Sequence, residues 1–435
     1  MPDAGDPPPP PPLPTAARRA LPWLTAGRFG SNLGVRFPIT FIEPLARGVG
    51  VSLDTMGLVL GLRELTGLVG PWAGRRADRG RRNRLVLAGL AGCGLTMALG
   101  ALSPGVAVLA VVLVVFGAGK ATHDVASNGW IGEHVPFARR GLVTGLVETS
   151  WAGALLVGVP VLGLLLDGVG WRAPFVATAV LCALPLLALP RLLGPDAPTR
   201  PGAGAAGPDD PAAGPEGPTS ATEPISLDGQ VWEVDAAADR HRPGPATVAT
   251  IAAPALAALA MQLVTVAFGP WLEDGFGFSI AAVGSASIAF GLGEAGGTLG
   301  SARFADRLGK RRTVLVGLAL MVPCTAALAA VEGRPVAALA LFAVVSGAFE
   351  LAFVSTMPLL TELEPRARAA TVGQAFATFT AARAVATAAG AAAYGRWGMG
   401  VVIAGACALT AAAIVVLAVR GVEPGGRPGP VADPA

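Results

Sequence analysis

Residues 74–82 are Gly-Arg-Arg-Ala-Asp-Arg-Gly-Arg-Arg, and residues 302–312 are Ala-Arg-Phe-Ala-Asp-Arg-Leu-Gly-Lys-Arg-Arg. In both stretches a small residue lies four positions before an aspartate, and arginine, glycine and a basic cluster follow. Each stretch lies between two long apolar segments, at the same relative place in its half of the chain. A charged turn repeated within a repeated hydrophobic pattern is typical of a membrane transporter built from two related halves.

The composition supports a membrane protein. Hydrophobic residues make up 53% of the 435 residues and charged residues only 14%, whereas soluble domains carry about 25% charged residues. The net charge of +3 is too small to suggest a nucleic-acid partner. The four cysteines are far apart within apolar runs and show neither metal-binding nor disulfide spacing. They are Cys93, Cys182, Cys324 and Cys407.

The hydropathy pattern predicts an all-α integral membrane protein with twelve transmembrane helices in two pseudo-symmetric six-helix bundles. A membrane-spanning helix needs about 20 apolar residues. The predicted spans are 21–43, 54–74, 84–103, 106–128, 141–166, 172–193, 247–271, 280–302, 313–331, 336–358, 369–392 and 398–419.

These spans divide the chain into five parts. The parts are a disordered N-terminal tail (1–20), an N-terminal bundle (21–193), a disordered linker (194–246), a C-terminal bundle (247–419) and a C-terminal tail (420–435). The linker is rich in proline, glycine, alanine and acidic residues and has no sustained apolar period. The proline-rich start has no small-residue cleavage site, so we interpret it as a retained tail and not as a signal peptide.

Basic residues assign the two sides of the membrane. Arginine and lysine are concentrated in the turns after spans two, four, eight and ten, and the opposite turns hold single arginines. By the positive-inside rule, both termini and the linker are cytoplasmic. The bias towards alanine, glycine, proline and arginine suggests a bacterial genome, so the predicted location is the bacterial inner membrane.

With its twelve predicted spans, central linker and repeated basic turn, the chain resembles the major facilitator superfamily. The basic turn of that family has the pattern G-x-x-x-D-R-x-G-R-R. The second copy fits except that Ala302 replaces the first glycine, and the first copy has one residue fewer before Gly80. The resemblance implies that these turns latch the two bundles in one state of the transport cycle. The latch residues are then Gly74, Asp78, Arg79, Asp306, Arg307 and Gly309.

The fifth span adds a second, weaker resemblance. It holds Gly153, Gly158, Pro160 and Gly163, which is similar to a degraded form of the glycine-proline motif of the drug/proton antiporter branch. The final paired glycine of that motif is missing, because Leu164 follows Gly163.

Charged side chains inside spans are functional candidates, because each costs about 2.5–3.5 kcal/mol at the centre of a bilayer. Arg28, Asn32 and Arg36 recur every four residues and share one face of the first span. We expect this face to line the substrate cavity and to favour an anionic group on the substrate or an acidic partner. Alternatively, the Arg28 side chain extends to the membrane interface. Trp151 either stacks on a ligand in the cavity or lies at the membrane interface.

Further charges predict proton coupling. Lys120 and Asp124, four residues apart, form either a local ion pair or, with His123, a proton relay. Glu148 and Glu350 have no cation within four residues, and membrane carboxylates of this kind can exchange protons near neutral pH. We predict Glu148, which has no evident cationic partner, as the proton carrier, with a helix-to-helix contact as the alternative.

Four other charged residues are assigned differently. Glu294 lies among glycines, which favours a packing role. Arg383 is a candidate for the cavity and for a partner of Glu148, Glu294 or Glu350. Arg63 and Glu64 are neighbours that point about 100° apart on a helix, so we do not expect them to pair with each other.

Taken together, the sequence predicts a monomeric secondary transporter that moves a small organic molecule outward, coupled to protons. Neither a nucleotide-binding loop nor a catalytic or metal-binding motif is present in the sequence, so we expect no enzyme activity, cofactor or metal ion. The alternatives are an importer or facilitator of the same fold and, as a different class, a non-transporting membrane sensor or scaffold.

The topology is testable with reporter fusions at Gly204 and Gly429. Both fusions should report a cytoplasmic location, because both follow an even number of predicted spans. An outer location for either reporter would contradict the assignment of sides.

Overall fold

The computed structural model describes residues 11–194, 196, 244–363 and 368–421, and helix is the only regular element among them. The first six long helices are α1 (Thr15–Thr40), α2 (Leu53–Arg76), α3 (Arg82–Ala101), α4 (Val106–His134), α5 (Phe137–Gly153, continued by Ala154–Gly158 and Val159–Val169) and α6 (Ala173–Leu193). The next are α7 (Pro245–Phe276), α8 (Ile280–Leu308), α9 (Lys310–Ala327) and α10 (Pro335–Leu363). The last helix, Arg368–Arg420, breaks at Gly398 into α11 (368–397) and α12 (399–420).

The described residues contain the twelve predicted helices. Nine helices are long and apolar enough to cross a membrane, or ten when the short helix Ile42–Val49 and Leu53–Arg76, bent by 112°, count as one span. Gly398, with φ 73° and ψ −174°, divides the last of these into two. The helix α1 completes the set, and its arginines lower its hydropathy. The predicted fold class is therefore confirmed.

Some boundaries differ from the prediction. Helix α1 begins at Thr15, inside the segment predicted to be a disordered tail, and Ala17 and Ala20 are fully buried. Arg18 and Arg19 interrupt the apolar run there, which hides the start of the helix from a hydropathy argument. Most of the predicted linker and C-terminal tail, residues 197–243 and 422–435, lies outside the described residues.

A repeated capping contact supports the two-half organisation. The Asn83 amide donates to the carbonyls of Leu193 and Gly194, at 2.9 and 3.3 Å, at the end of α6. In the second half Arg311 donates to the carbonyls at the end of α12, those of Leu417 and Ala418, at 3.2 and 2.9 Å. Asn83 and Arg311 each lie five residues after the aspartate of their basic turn. The same position therefore closes each half on its own last helix.

The halves meet mainly through two pairs of helices, α2 with α11 and α5 with α8. Glycines allow the backbones to touch: a β-carbon added at Gly61 would lie 2.7 Å from the Ala384 carbonyl oxygen, and one at Gly163 would lie 3.1 Å from the Gly284 Cα. Small residues at such crossings are typical of close packing within a membrane.

Both helix pairs diverge towards the basic turns. The contacts of α2 with α11 run along Leu53–Val69, and those of α5 with α8 lie mainly along Ala154–Val169. We call the side that holds the basic turns the basic face, and the opposite side the outer face. The halves are thus closed at the outer face, and the space between them opens towards the basic face.

Ion pairs connect the halves at the outer face as well. Arg47 lies 2.5 Å from Glu273, and Arg396 lies 2.7 Å from Asp54. Both arginines are more than half exposed, and exposed pairs contribute only about 0–1 kcal/mol. The glycine contacts therefore contribute most of the closure, and these pairs help to set its register.

Substituting Gly61 with alanine should weaken the outer closure, because the new methyl group meets a backbone carbonyl that cannot move aside. Spin labels at Ser52 and Gly400, in a background without the four cysteines, report the distance across the outer face. We expect a longer distance in Gly61→Ala. Gly92→Ala is the control, since an added β-carbon there meets nothing within 4 Å. An unchanged distance in Gly61→Ala would show that the contact does not determine the closure.

Candidate functional site

The face of α1 formed by Arg28, Asn32 and Arg36 is buried, with exposures of 1%, 0% and 8%. Arg36, the residue of this face that lies nearest the outer face, makes a contact between the two halves. One terminal guanidinium nitrogen of Arg36 lies 2.7 and 2.8 Å from the two carboxylate oxygens of Glu294 on α8. A charge-assisted contact at this distance is stronger than a neutral hydrogen bond, so it ties α1 to α8.

The indole of Trp151 lies against this ion pair. The Arg36 guanidinium carbon is 3.8 Å from the centroid of the Trp151 ring, and the Lys120 ammonium is 5.8 Å from it. Phe290 supports the same guanidinium from 5.2 Å. Cations within about 6 Å of an aromatic ring are attracted to its face. Trp151 is part-buried and has two cations close to its ring, which is not the environment expected at the membrane interface.

A small cavity of about 50 Å³ lies beside the Arg36–Glu294 pair. Both halves line it, and its polar walls include Arg36, Thr40, Gln262, Thr265, Glu294 and Arg383. Phe290 and Phe349 provide apolar walls. Among the charged lining residues there are two arginines and one glutamate, so the cavity carries an excess of positive charge.

A second ion pair between the halves lies nearby. Glu64 on α2 is 3.3 Å from Arg383 on α11 and 2.6 Å from Arg63, and Arg63 also donates to the Val35 carbonyl at 3.0 Å. The expectation that Arg63 and Glu64 do not pair is wrong, since the two side chains are in contact at 2.6 Å where the helix tightens into a 3₁₀ turn after Glu64. Arg383 was a candidate partner for Glu148, Glu294 or Glu350, and its described partner is instead Glu64.

Arg28 forms a contact that the sequence prediction missed. Its guanidinium donates to the Asn128 side-chain oxygen at 3.0 Å and lies 2.9 Å from a carboxylate oxygen of Glu148. The prediction that Glu148 has no cationic partner is therefore wrong. The alternative that Arg28 reaches the membrane interface also fails, because its side chain is 1% exposed. Asn32 donates to the Ser150 hydroxyl at 3.1 Å, so Arg28 and Asn32 contact other helices and not the cavity.

The polar face of α4 lies between the Arg36–Glu294 pair and the Arg28–Glu148 pair. The predicted ion pair between Lys120 and Asp124 is present. His123 is fully buried, and its Nδ1 lies 3.0 Å from the Val86 carbonyl oxygen. Its Nε2 has no hydrogen-bond partner among the described residues. On the other half Glu350 accepts from the Thr298 hydroxyl at 3.4 Å.

The structure describes only part of the predicted latch. The side chains of Asp78 and Asp306 lie outside the described residues. Both turns bend at a glycine with positive φ, which is 77° for Gly80 and 89° for Gly309. Both copies thus use one left-handed glycine, although their spacing from the aspartate differs by one residue. The arginines of the latch, Arg79 and Arg307, are exposed.

Comparison with known proteins agrees with this architecture. The model of the Major Facilitator Superfamily matches residues 24–240 and 250–434. Two crystal structures of a bacterial homologue of the human lysosomal transporter Spinster, both inward-facing, one unoccupied and one occupied, are similar to the chain with TM-scores of 0.69 and 0.68. The identity is 16% in both, over 94% of this chain and 96% of the other. No curated protein sequence matches the chain.

A double-mutant cycle tests the Arg36–Glu294 contact. Arg36→Gln should lower the free energy of unfolding by about 3–5 kcal/mol, because it leaves a buried carboxylate without its cation. The double variant Arg36→Gln/Glu294→Gln should be more stable than that single variant. Unfolding in mixed micelles measures both.

The control is the exposed pair Asp54–Arg396, which also joins the halves. The variants Asp54→Asn and Arg396→Gln should each change the stability by about 1 kcal/mol or less. Additive effects of Arg36→Gln and Glu294→Gln would contradict a direct interaction between the two side chains.

Proposed function

The chain belongs to the major facilitator superfamily and is a multi-pass membrane transporter, not an enzyme, and we propose that it exports a small organic molecule across the bacterial inner membrane by proton-coupled alternating access. The observation that carries the proposal is the Arg36–Glu294 ion pair, which joins the two halves beside the central cavity. A proton can neutralise Glu294, and a substrate can bind either member of the pair. Because the pair joins the two halves, either event can change their relative position.

Alternating access follows from the two helix pairs that close the outer face. The space between the halves opens towards the basic face, which the positive-inside rule makes cytoplasmic. To release substrate on the other side, the contacts of α2 with α11 and of α5 with α8 must separate. The glycines of the fifth span that resemble the antiporter motif support a role of the α5–α8 contact in this separation, because Gly163 forms the close contact with Gly284.

Proton coupling is proposed to act through acids held by arginines of α1. A proton taken up by Glu294 removes its charge and weakens its contact with Arg36, which changes the relative stability of the two states. Arg28 and Glu148 repeat this arrangement eight residues earlier on α1, about 12 Å along the helix. We propose Glu148 as a second coupling acid. Lys120, His123 and Asp124 are then the relay groups between the Arg36–Glu294 pair and the Arg28–Glu148 pair.

The charge of the substrate determines the direction of coupling. A substrate that donates to Glu294 competes with the proton for the same carboxylate, which gives exchange and export. A substrate with an anionic group binds Arg36 and leaves Glu294 to take up a proton, so that both move together. The two arginines of the cavity lining favour this second candidate, an importer of an organic anion.

The coupling acids can be tested in proteoliposomes with an imposed pH gradient and a library of organic substrates. Wild-type protein should accumulate or expel a substrate in response to the gradient. Glu294→Gln should still exchange that substrate down its concentration gradient but should lose the response to pH, because the amide cannot release a proton. Glu148→Gln should show a reduced response if Glu148 is the second acid.

Glu133→Gln is the control, since Glu133 is 44% exposed and pairs with Arg82 at the surface. It should retain the response to pH. If both Glu294→Gln and Glu148→Gln remain fully pH-driven, acids held by α1 do not couple transport to protons. The sign of the wild-type response separates export by exchange from import with protons.

A further inference from the structure

A second space, of about 490 Å³, lies outside the central cavity between α1, α5 and α6. Its walls are mainly apolar and include Trp23, Ala26 and Phe29 of α1 and Leu184 of α6. Trp23 is 39% exposed and Leu184 is 46% exposed. The space is therefore a groove on the lipid-facing surface of the N-terminal half, and we call it the α1–α6 groove.

Two prolines explain why a groove remains between these helices. Pro22 lies inside α1, and Pro185 lies where α6 tightens into a 3₁₀ turn over Leu184–Leu187. Proline lacks the backbone N–H of a regular turn, and its ring displaces the preceding turn of the helix. Both prolines are in the groove wall, so each helix departs from regular geometry next to the groove.

Arginines lie at the basic-face ends of the same helices. Arg18 and Arg19 are exposed at the start of α1, and Arg191 is exposed near the end of α6. With a rise of about 1.5 Å per residue, Arg19 lies about 6 Å above Trp23 and about 15 Å above Phe29. On α6, Arg191 lies about 15 Å above Leu181. Both helices therefore put positive charge above an apolar wall of similar depth.

We propose that the α1–α6 groove binds one anionic phospholipid of the surrounding leaflet. One acyl chain lies in the groove, and the phosphate lies among Arg18, Arg19 and Arg191. The dimensions fit a lipid, because the charged end and the apolar wall are separated along the membrane normal as a headgroup and a chain are. Basic residues near the membrane surface attract anionic lipids, and tryptophan is favoured at the level of the headgroups, where Trp23 lies.

The bound chain would also contact the polar interior. Ser150 is in the groove wall, and its hydroxyl accepts a hydrogen bond from Asn32. Asn32 lies one helical turn from Arg28, which holds Glu148. A lipid in the groove therefore packs against the segment of α5 that carries Glu148. This site is separate from the proposed transport site and does not depend on the identity of the substrate.

Native mass spectrometry of the purified full chain, with added phosphatidylglycerol or phosphatidylcholine, tests the proposal. Phosphatidylglycerol should remain bound as one molecule at collision energies that remove phosphatidylcholine. Ala26→Trp should abolish that retention, because the indole fills the groove. The double variant Arg18→Gln/Arg19→Gln should weaken binding roughly ten- to thirtyfold, since each arginine contributes about 1 kcal/mol.

Ala91→Trp is the matched control, because Ala91 is exposed on α3 outside the groove, and its retention of phosphatidylglycerol should equal that of the wild type. Equal retention of the neutral and anionic lipids would overturn the proposal, as it indicates an unspecific apolar groove. Unchanged retention in the arginine double variant would also overturn it, and this outcome remains decisive if Ala26→Trp does not fold.

Discussion

We propose that the buried ion pair between Arg36 and Glu294 is the contact through which charge controls the relative position of the two halves. It joins α1 to α8, is about nine-tenths buried on both sides and has the Trp151 ring against it. Breaking such a pair leaves an uncompensated charge in the membrane interior, which is costly. In the proposed mechanism the halves change their relative position when one member of the pair is replaced or neutralised, by a proton on Glu294 or by an anion at Arg36.

The outer closure uses a different kind of contact. Glycines of α2 and α5 bring backbones of opposite halves together, and this packing has the same energy whatever the protonation state. In the proposed mechanism the charged pairs in the interior add the dependence on protons and substrate. The closure can then form and open repeatedly, while the charge in the cavity determines which state is favoured.

The sequence predicts what depends on local pattern. Spans, the repeat and the Lys120–Asp124 pair follow from hydropathy and from a spacing of four residues within one helix. The partners of Arg28, Arg36 and Arg383 depend on the register between helices far apart in sequence, which no local pattern contains.

Glu294 illustrates how a correct local argument can miss a site. Its neighbours Gly293 and Gly297 pack against α10, where an added β-carbon would lie 2.0 Å from the Ser346 hydroxyl and 2.3 Å from the Gly347 carbonyl. The glycine-rich pattern thus indicates close packing correctly. Glu294 itself reaches Arg36 of the other half, and only the tertiary structure reveals this.

Infrared difference spectroscopy, combined with the distance across the outer face, tests whether protonation of Glu294 controls the relation of the two halves. We expect a protonated-carboxyl band, absent in Glu294→Gln, to appear at the same pH at which the outer face opens. Opening of the outer face without that band, or with an unchanged pH dependence in Glu294→Gln, would contradict the claim that protonation of Glu294 controls the relation of the two halves.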